Sequence, residues 1–177
     1  MILIHLEKLL CMTAFLLRPW NIQDLDDLVK NANNINVARN MTNQFKHPYT
    51  KEAGLAFIEY ANKETPINIF AIEIEEHACG GIGIHPKQDI ECKNAELGYW
   101  LGEPFWGRGI ITSAIRQMVE YAFKAWEIER IFARPFGTNI GSQKALEKAG
   151  FTLEARFNKT LYKHGEYVDE LVYAIRK

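Results

Sequence analysis

The run Pro104-Phe105-Trp106-Gly107-Arg108-Gly109 stands directly before the most regular apolar stripe of the chain: Ile110, Ala114, Ile115, Met118, Val119, Ala122 and Phe123. That stripe repeats at helical spacing and predicts a helix packed on a sheet. The two glycines ahead of it let the backbone turn tightly and leave its N–H groups unobstructed. The start of the helix adds unsatisfied donors and the positive end of a dipole. Such a turn is suited to a phosphate or pyrophosphate, although glycines also serve a plain strand-to-helix connection. Three nucleotide ligands compete for it. Gly102-x4-Gly107-Arg108-Gly109 nearly matches a P-loop, but Arg108 replaces the lysine and Gly109 the hydroxyl that would hold Mg²⁺. A dinucleotide fingerprint wants a third glycine at 112, where Thr112 stands, and belongs in a parallel βαβ unit. Coenzyme A, whose pyrophosphate would use the same amides, is the third.

The elements around this turn follow from periodicity and punctuation. Phe15–Arg18 predicts a strand, and Asn21 caps a helix carrying Ile22, Leu25, Leu28 and Val29. Six asparagines in residues 31–43 predict a loop or frayed helix end. Thr50 starts a helix with Ala53, Phe57 and Ala61 on one face, and Ile67–Ile74 is a strand. Gly80–Gly81 is expected near a turn into a short strand at Ile82–His85, followed by strand Glu96–Leu101. Beyond the Gly-rich turn come strand Arg130–Arg134, helix Asn139–Ala149 closed by Gly150, and strands Phe151–Phe157 and Tyr167–Ile175. Short early turns and later helical connections predict a mixed sheet with helices on its faces.

Composition narrows the function. The 177 residues fit one domain, taken as 12–177 with residues 1–11 an extension and Met12 a second start. A net charge of −1 gives no basic field for bulk nucleic-acid binding. Three cysteines, Cys11, Cys79 and Cys92, make no disulfide framework and suggest a reducing compartment. Glu7 and Lys8 break the apolar start, so no membrane span is expected and the cytoplasm is the expected location.

Eight segments carry a family resemblance: Leu17-Arg18-Pro19, Ala95 to Trp100, Trp106 to Gly109, Tyr121-Ala122-Phe123, Arg130-Ile131, Asn139 to Ser142, Leu146 to Phe151, and Gly165…Asp169…Tyr173-Ala174-Ile175. In this order, they resemble the GNAT N-acetyltransferase superfamily, in its RimJ/RimL-like branch. The resemblance implies an α/β (α+β) fold, with a mostly antiparallel sheet splayed between the strands of Glu96–Leu101 and Arg130–Arg134. It implies acetyl-CoA as donor, an amine as acceptor, and no metal. The backbone of Tyr99, Trp100 and Leu101 would bond the pantetheine arm. The amides of Trp106, Gly107, Arg108, Gly109, Ile110, Ile111 and Thr112 would take the pyrophosphate, and Asn139 the pantetheine near the thioester. Pro104 departs from the Gln or Arg common there. Leu146 stands in the cofactor region where many relatives have a tyrosine acid.

Attack of an amine on a thioester needs a neutral amine, an oxyanion donor and a stabilised thiolate. Ser142, one turn after Asn139, is the hydroxyl expected to act as acid, although a serine there also serves as a cap. Glu96 is the carboxylate expected as base, although a salt-bridged strand residue is the plainer alternative. His77, Cys79, His85 and Cys92 have no zinc-site spacing. The Asn-rich segment is expected to border the acceptor and set its choice. A protein N-terminal amine is the expected acceptor, with a polyamine or amino-sugar second, a non-catalytic CoA-binding module third, and a homodimer within expectation.

Overall fold

The computed structural model describes residues 14–177. The extension 1–11, the second start at Met12 and Cys11 lie outside the described residues. The strands are β1 (Leu16–Pro19), β2 (Ile69–Ile74), β3 (His77–Pro86), β4 (Asn94–Leu101), β5 (Arg130–Ala133), β6 (Thr152–Lys163) and β7 (Glu166–Arg176). The helices are α1 (Leu25–Ala32), α2 (Ile35–Ala38), α3 (Lys51–Ala61), α4 (Ile110–Ala125) and α5 (Ile140–Ala149).

One seven-stranded sheet runs in the order β1-β2-β3-β4-β5-β7-β6. Its neighbours are antiparallel except β4 and β5, which α4 connects as parallel strands. Strand alternation sends consecutive residues to opposite faces, and each face has its own core. Ile72, Ile82, Leu97 and Leu101 pack with Ile115 and Met118 of α4 and Leu146 of α5. Ala71, Trp100 and Trp20 pack on the other face with Leu28 of α1 and Ile58 of α3. Burying a side chain such as Ile115 or Met118 is worth about 1.5–3 kcal/mol, so α4 anchors the glycine turn that precedes it.

Two local expectations change. The β2–β3 turn is at Glu75 and Glu76, both at positive φ (52° and 67°), and Gly80 and Gly81 lie inside β3. They are there for close approach. A β-carbon on Gly80 would stand 2.5 Å from the Trp100 carbonyl oxygen, and one on Gly81 2.9 Å from Trp100 Nε1. The Asn-rich segment is likewise not simply a loop. It holds α2, capped by Asn34, whose Oδ1 accepts from the Asn36 N–H at 2.8 Å.

Candidate active site

The site lies where the sheet opens. β4 keeps its partner β3 as far as Leu101, but it pairs with β5 only at Asn94, Ala95 and Glu96. Beyond Glu96 one edge of β4 therefore faces a gap, and edge backbone groups seek partners. Tyr99, Trp100 and Leu101 lie along that edge. The side chains of Trp100 and Leu101 are buried in opposite cores, so neither offers a ligand its side chain.

From Leu101 the chain passes through the short 3-10 turn Glu103–Phe105 into the glycines. Gly107 and Gly109 have φ of 76° and 77°, a region that costs other residues about 1–2 kcal/mol. No atom lies within 4 Å of a β-carbon placed on either. The backbone requires glycine there; the neighbours do not. The Ser113 N–H donates to the Gly109 carbonyl at 3.1 Å, so the amides of Ile110, Ile111 and Thr112 precede the helical ladder. Gly109 supplies no side-chain cap to them. The Trp106 amide differs: it donates to the Glu103 carbonyl at 3.1 Å, which removes it from the expected donors and leaves 107–112. Trp106 instead holds the turn, its indole Nε1 donating to the Leu101 carbonyl at 2.7 Å. Arg108 turns back over the Phe105 ring and donates to the Pro104 carbonyl at 2.9 Å.

Across the gap stands the start of α5. Asn139 caps it, with Oδ1 accepting from the Ser142 N–H at 3.1 Å. The Ser142 hydroxyl lies 2.6 Å from the Tyr99 hydroxyl, joining α5 to β4. Sequence reasoning considered only the Tyr99 backbone. Alternation along β4 is the signal that would have placed its side chain on the α5 side, with Leu97 and Leu101. Burial pushes the Tyr99 hydroxyl above its ordinary range, with the Ser142 contact opposing, so it stays protonated and able to donate. Leu146 has 0% exposure in the core beneath, and presents no surface to a ligand.

The opposite face of β4 is more polar. Register sets His85 beside Glu96 and Gly83 beside Gly98. The His85 Nε2 lies 3.2 Å and 4.0 Å from the positions of β-carbons on Gly83 and Gly98, so the ring covers both glycines. Burial lowers its pKa, with Glu96 opposing and Lys87 adding, which keeps the imidazole neutral near pH 7. Sequence reasoning weighed His85 only as a metal ligand. Among the described residues no three His, Cys, Asp or Glu gather to hold a metal ion. Glu96 accepts from Lys87 Nζ at 2.6 Å and from Arg134 Nε at 2.8 Å. Burial alone would raise its pKa, but these two cations outweigh burial and hold the carboxyl below the usual range. Glu96 is thus charged, shared and only weakly basic. Phe45 packs against Trp100 with ring centroids 5.7 Å apart, bringing the segment after α2 to this face. No helix of the described residues is long and apolar enough to cross a membrane.

Residues 14–152 match the family described as acetyltransferase (GNAT) domain. The chain is 35% identical over 99 residues to YdaF of Bacillus subtilis (strain 168), whose name provisionally assigns it to ribosomal N-acetyltransferases; the match covers 56% of this chain and 54% of that protein. It is 28% identical over 106 residues to the ribosomal-protein-serine acetyltransferase of Escherichia coli (strain K12), covering 60% of this chain and 59% of that one. The chain thus spans little more than half the length of these curated relatives. Among solved structures, the microcin C7 self-immunity acetyltransferase MccE, in complex with acetyl-CoA and AMP, superposes with a TM-score of 0.79 at 24% identity, over 92% of each chain.

Proposed function

The chain belongs to the GNAT acetyltransferase family, and from that premise we propose that it transfers the acetyl group of acetyl-CoA directly to an amine, with a peptide or protein N-terminus as acceptor. The observation that carries the proposal is the socket of free amides at 107–112, opening beside the gap that Tyr99 and Ser142 span. Acetyl-CoA here is a substrate. The amides of Gly107 to Thr112 would hold its pyrophosphate, the β4 backbone at Tyr99–Leu101 its pantetheine arm, and Asn139 the end of that arm.

The residues then divide the chemistry. A free N–H on the β4 edge stabilises the tetrahedral oxyanion. The Ser142 hydroxyl donates a hydrogen bond to the departing thiolate. Full proton transfer is unnecessary, because a thiol of pKa about 8.5 leaves readily. The Tyr99 hydroxyl, donating to Ser142 Oγ, frees the serine proton to point at sulfur. Glu96 takes up the proton of the acceptor. Because Lys87 and Arg134 share its carboxylate, it suits an amine already near neutrality, such as an α-amine of pKa about 7.7–8.0, better than a lysine side chain near 10.4. The same two cations stand against a polyamine. The names of the two curated relatives support a ribosomal protein among the acceptors.

The test is thiol release from acetyl-CoA with panels of peptides bearing free α-amines, and of polyamines and amino-sugars. Faster release with the peptides is the expected outcome. Preference for the small amines would replace the acceptor, and tight acetyl-CoA binding without any thiol release would leave a CoA-binding module.

A further inference from the structure

The asparagines at 31–36 each hold something specific. Asn31 Nδ2 donates to the Ala78 carbonyl at 3.2 Å and the Asp27 carbonyl at 3.0 Å. Its Oδ1 lies 2.7 Å from where a β-carbon on Gly102 would sit, so the backbone before the turn runs hard against it. Asn33 Oδ1 accepts from the Tyr49 N–H at 3.0 Å. Asn34 and Asn36 both reach Glu103. Asn34 Nδ2 donates to Oε2 at 2.7 Å, and Asn36 Nδ2 to Oε1 and Oε2 at 3.0 and 3.1 Å. Glu103 opens the 3-10 turn that leads straight into Trp106–Gly109, and its backbone carbonyl holds the Trp106 amide.

One carboxylate therefore ties two separate pieces of the chain together. On one side is the turn that would carry the pyrophosphate. On the other is α2, whose cap residue Asn34 is itself held by the carboxylate, and whose Val37 packs in the same core as Trp100. We propose that Glu103 is a positioning residue that registers the acceptor-side segment against the cofactor turn, so that ordering of the turn by acetyl-CoA also orders α2. This rests on the assignment of 107–112 as the cofactor socket. The physical ground is direct: a carboxylate fixed at its backbone by an ordered turn loses less freedom in holding Asn34 and Asn36 than one on a loose turn.

Amide hydrogen exchange with and without saturating acetyl-CoA tests it, read separately over 33–41 and 102–113. In the wild type acetyl-CoA should slow exchange in both, by about tenfold at 33–41, in the range of ordinary coupling energies. In Glu103→Ala the slowing at 102–113 should remain while that at 33–41 falls below about twofold. Glu103→Gln, which keeps an acceptor oxygen, should restore part of it. Asn36→Ala leaves the Asn34 bond in place and should lose part of the slowing at 33–41, with no loss beyond that of Glu103→Ala in the double variant. Equal slowing at 33–41 in wild type and Glu103→Ala overturns the coupling and leaves the socket standing. A wild-type protein that binds acetyl-CoA without slowing at 102–113 overturns the socket and the coupling together.

Discussion

Ser142 is placed by two neighbours, and the role proposed for it needs both. Asn139 holds its amide at the start of α5, while Tyr99 holds its hydroxyl from the far side of the gap. Ser142→Ala should lower kcat about tenfold or more, with the acetyl-CoA Kd within about twofold, because the donor to a good leaving group is lost and the socket is untouched. Tyr99→Phe should lower kcat by about fivefold, the worth of one neutral hydrogen bond. Steady-state kinetics beside calorimetric titration separates the two effects. Glu96 gives a pH prediction. Its folded pKa lies below the unfolded value, so its ion pairs contribute stability above about pH 4.3 that is lost as pH falls through the folded pKa. The wild-type Tm should therefore fall more steeply than that of Glu96→Gln below pH 4.3, in thermal melts from pH 7 to 3. Parallel slopes would show that Lys87 and Arg134 do not hold Glu96 in solution.

At the level of elements, the turn 102–109 owes its shape to glycine backbone, with Gly107 and Gly109 both at positive φ. Gly109→Ala places a methyl in open space but at a φ of 77°. Folding should cost about 1 kcal/mol, or a Tm lower by about 2–4 °C. If the turn seats a pyrophosphate, acetyl-CoA affinity should fall about tenfold or more, since the methyl meets the ligand rather than the protein. Calorimetry on the folded variant reads this directly, and unchanged affinity would move the socket elsewhere. The anchoring of the turn was legible in sequence, because the stripe from Ile110 to Phe123 has one period and one face. The Asn-rich segment was not. Asparagine favours turns through local bonds, yet here Asn31, Asn34 and Asn36 spend their side chains on residues 47, 69 and 67 positions away, which no local rule contains.

At the level of the whole molecule, the splay depends on β3 and β4 lying close on one side while β4 and β5 separate on the other. Gly80 permits that closeness. Gly80→Ala would set a β-carbon 2.5 Å from the Trp100 carbonyl oxygen and 3.0 Å from the Leu101 Cα, both backbone and unable to swing aside. A loss of about 3 kcal/mol is expected. Gly141→Ala, whose β-carbon would meet only Asn139 Oδ1 at 3.8 Å, should be neutral or stabilise α5 by about 0.5 kcal/mol. Denaturant unfolding of the two variants compares them.

Sequence alone determined the sheet-and-helix succession and the Gly-rich turn before α4, because periodicity, capping and glycine placement act over a few residues; the family showed separately, as a resemblance over eight segments in order. Near-zero net charge excluded a diffuse phosphate-binding field but was silent about amides, which carry no formal charge. Tertiary structure alone decided which of those amides are free, that Glu96 is shared by Lys87 and Arg134, that Tyr99 meets Ser142, and that Glu103 holds Asn34 and Asn36. Each of these is a contact between side chains far apart in the chain, or between a backbone group and a turn that could have formed with other partners. Spacing can nominate the residue types. Only the packing of strands and helices sets the distances, and at a catalytic site the distances decide what the residues do.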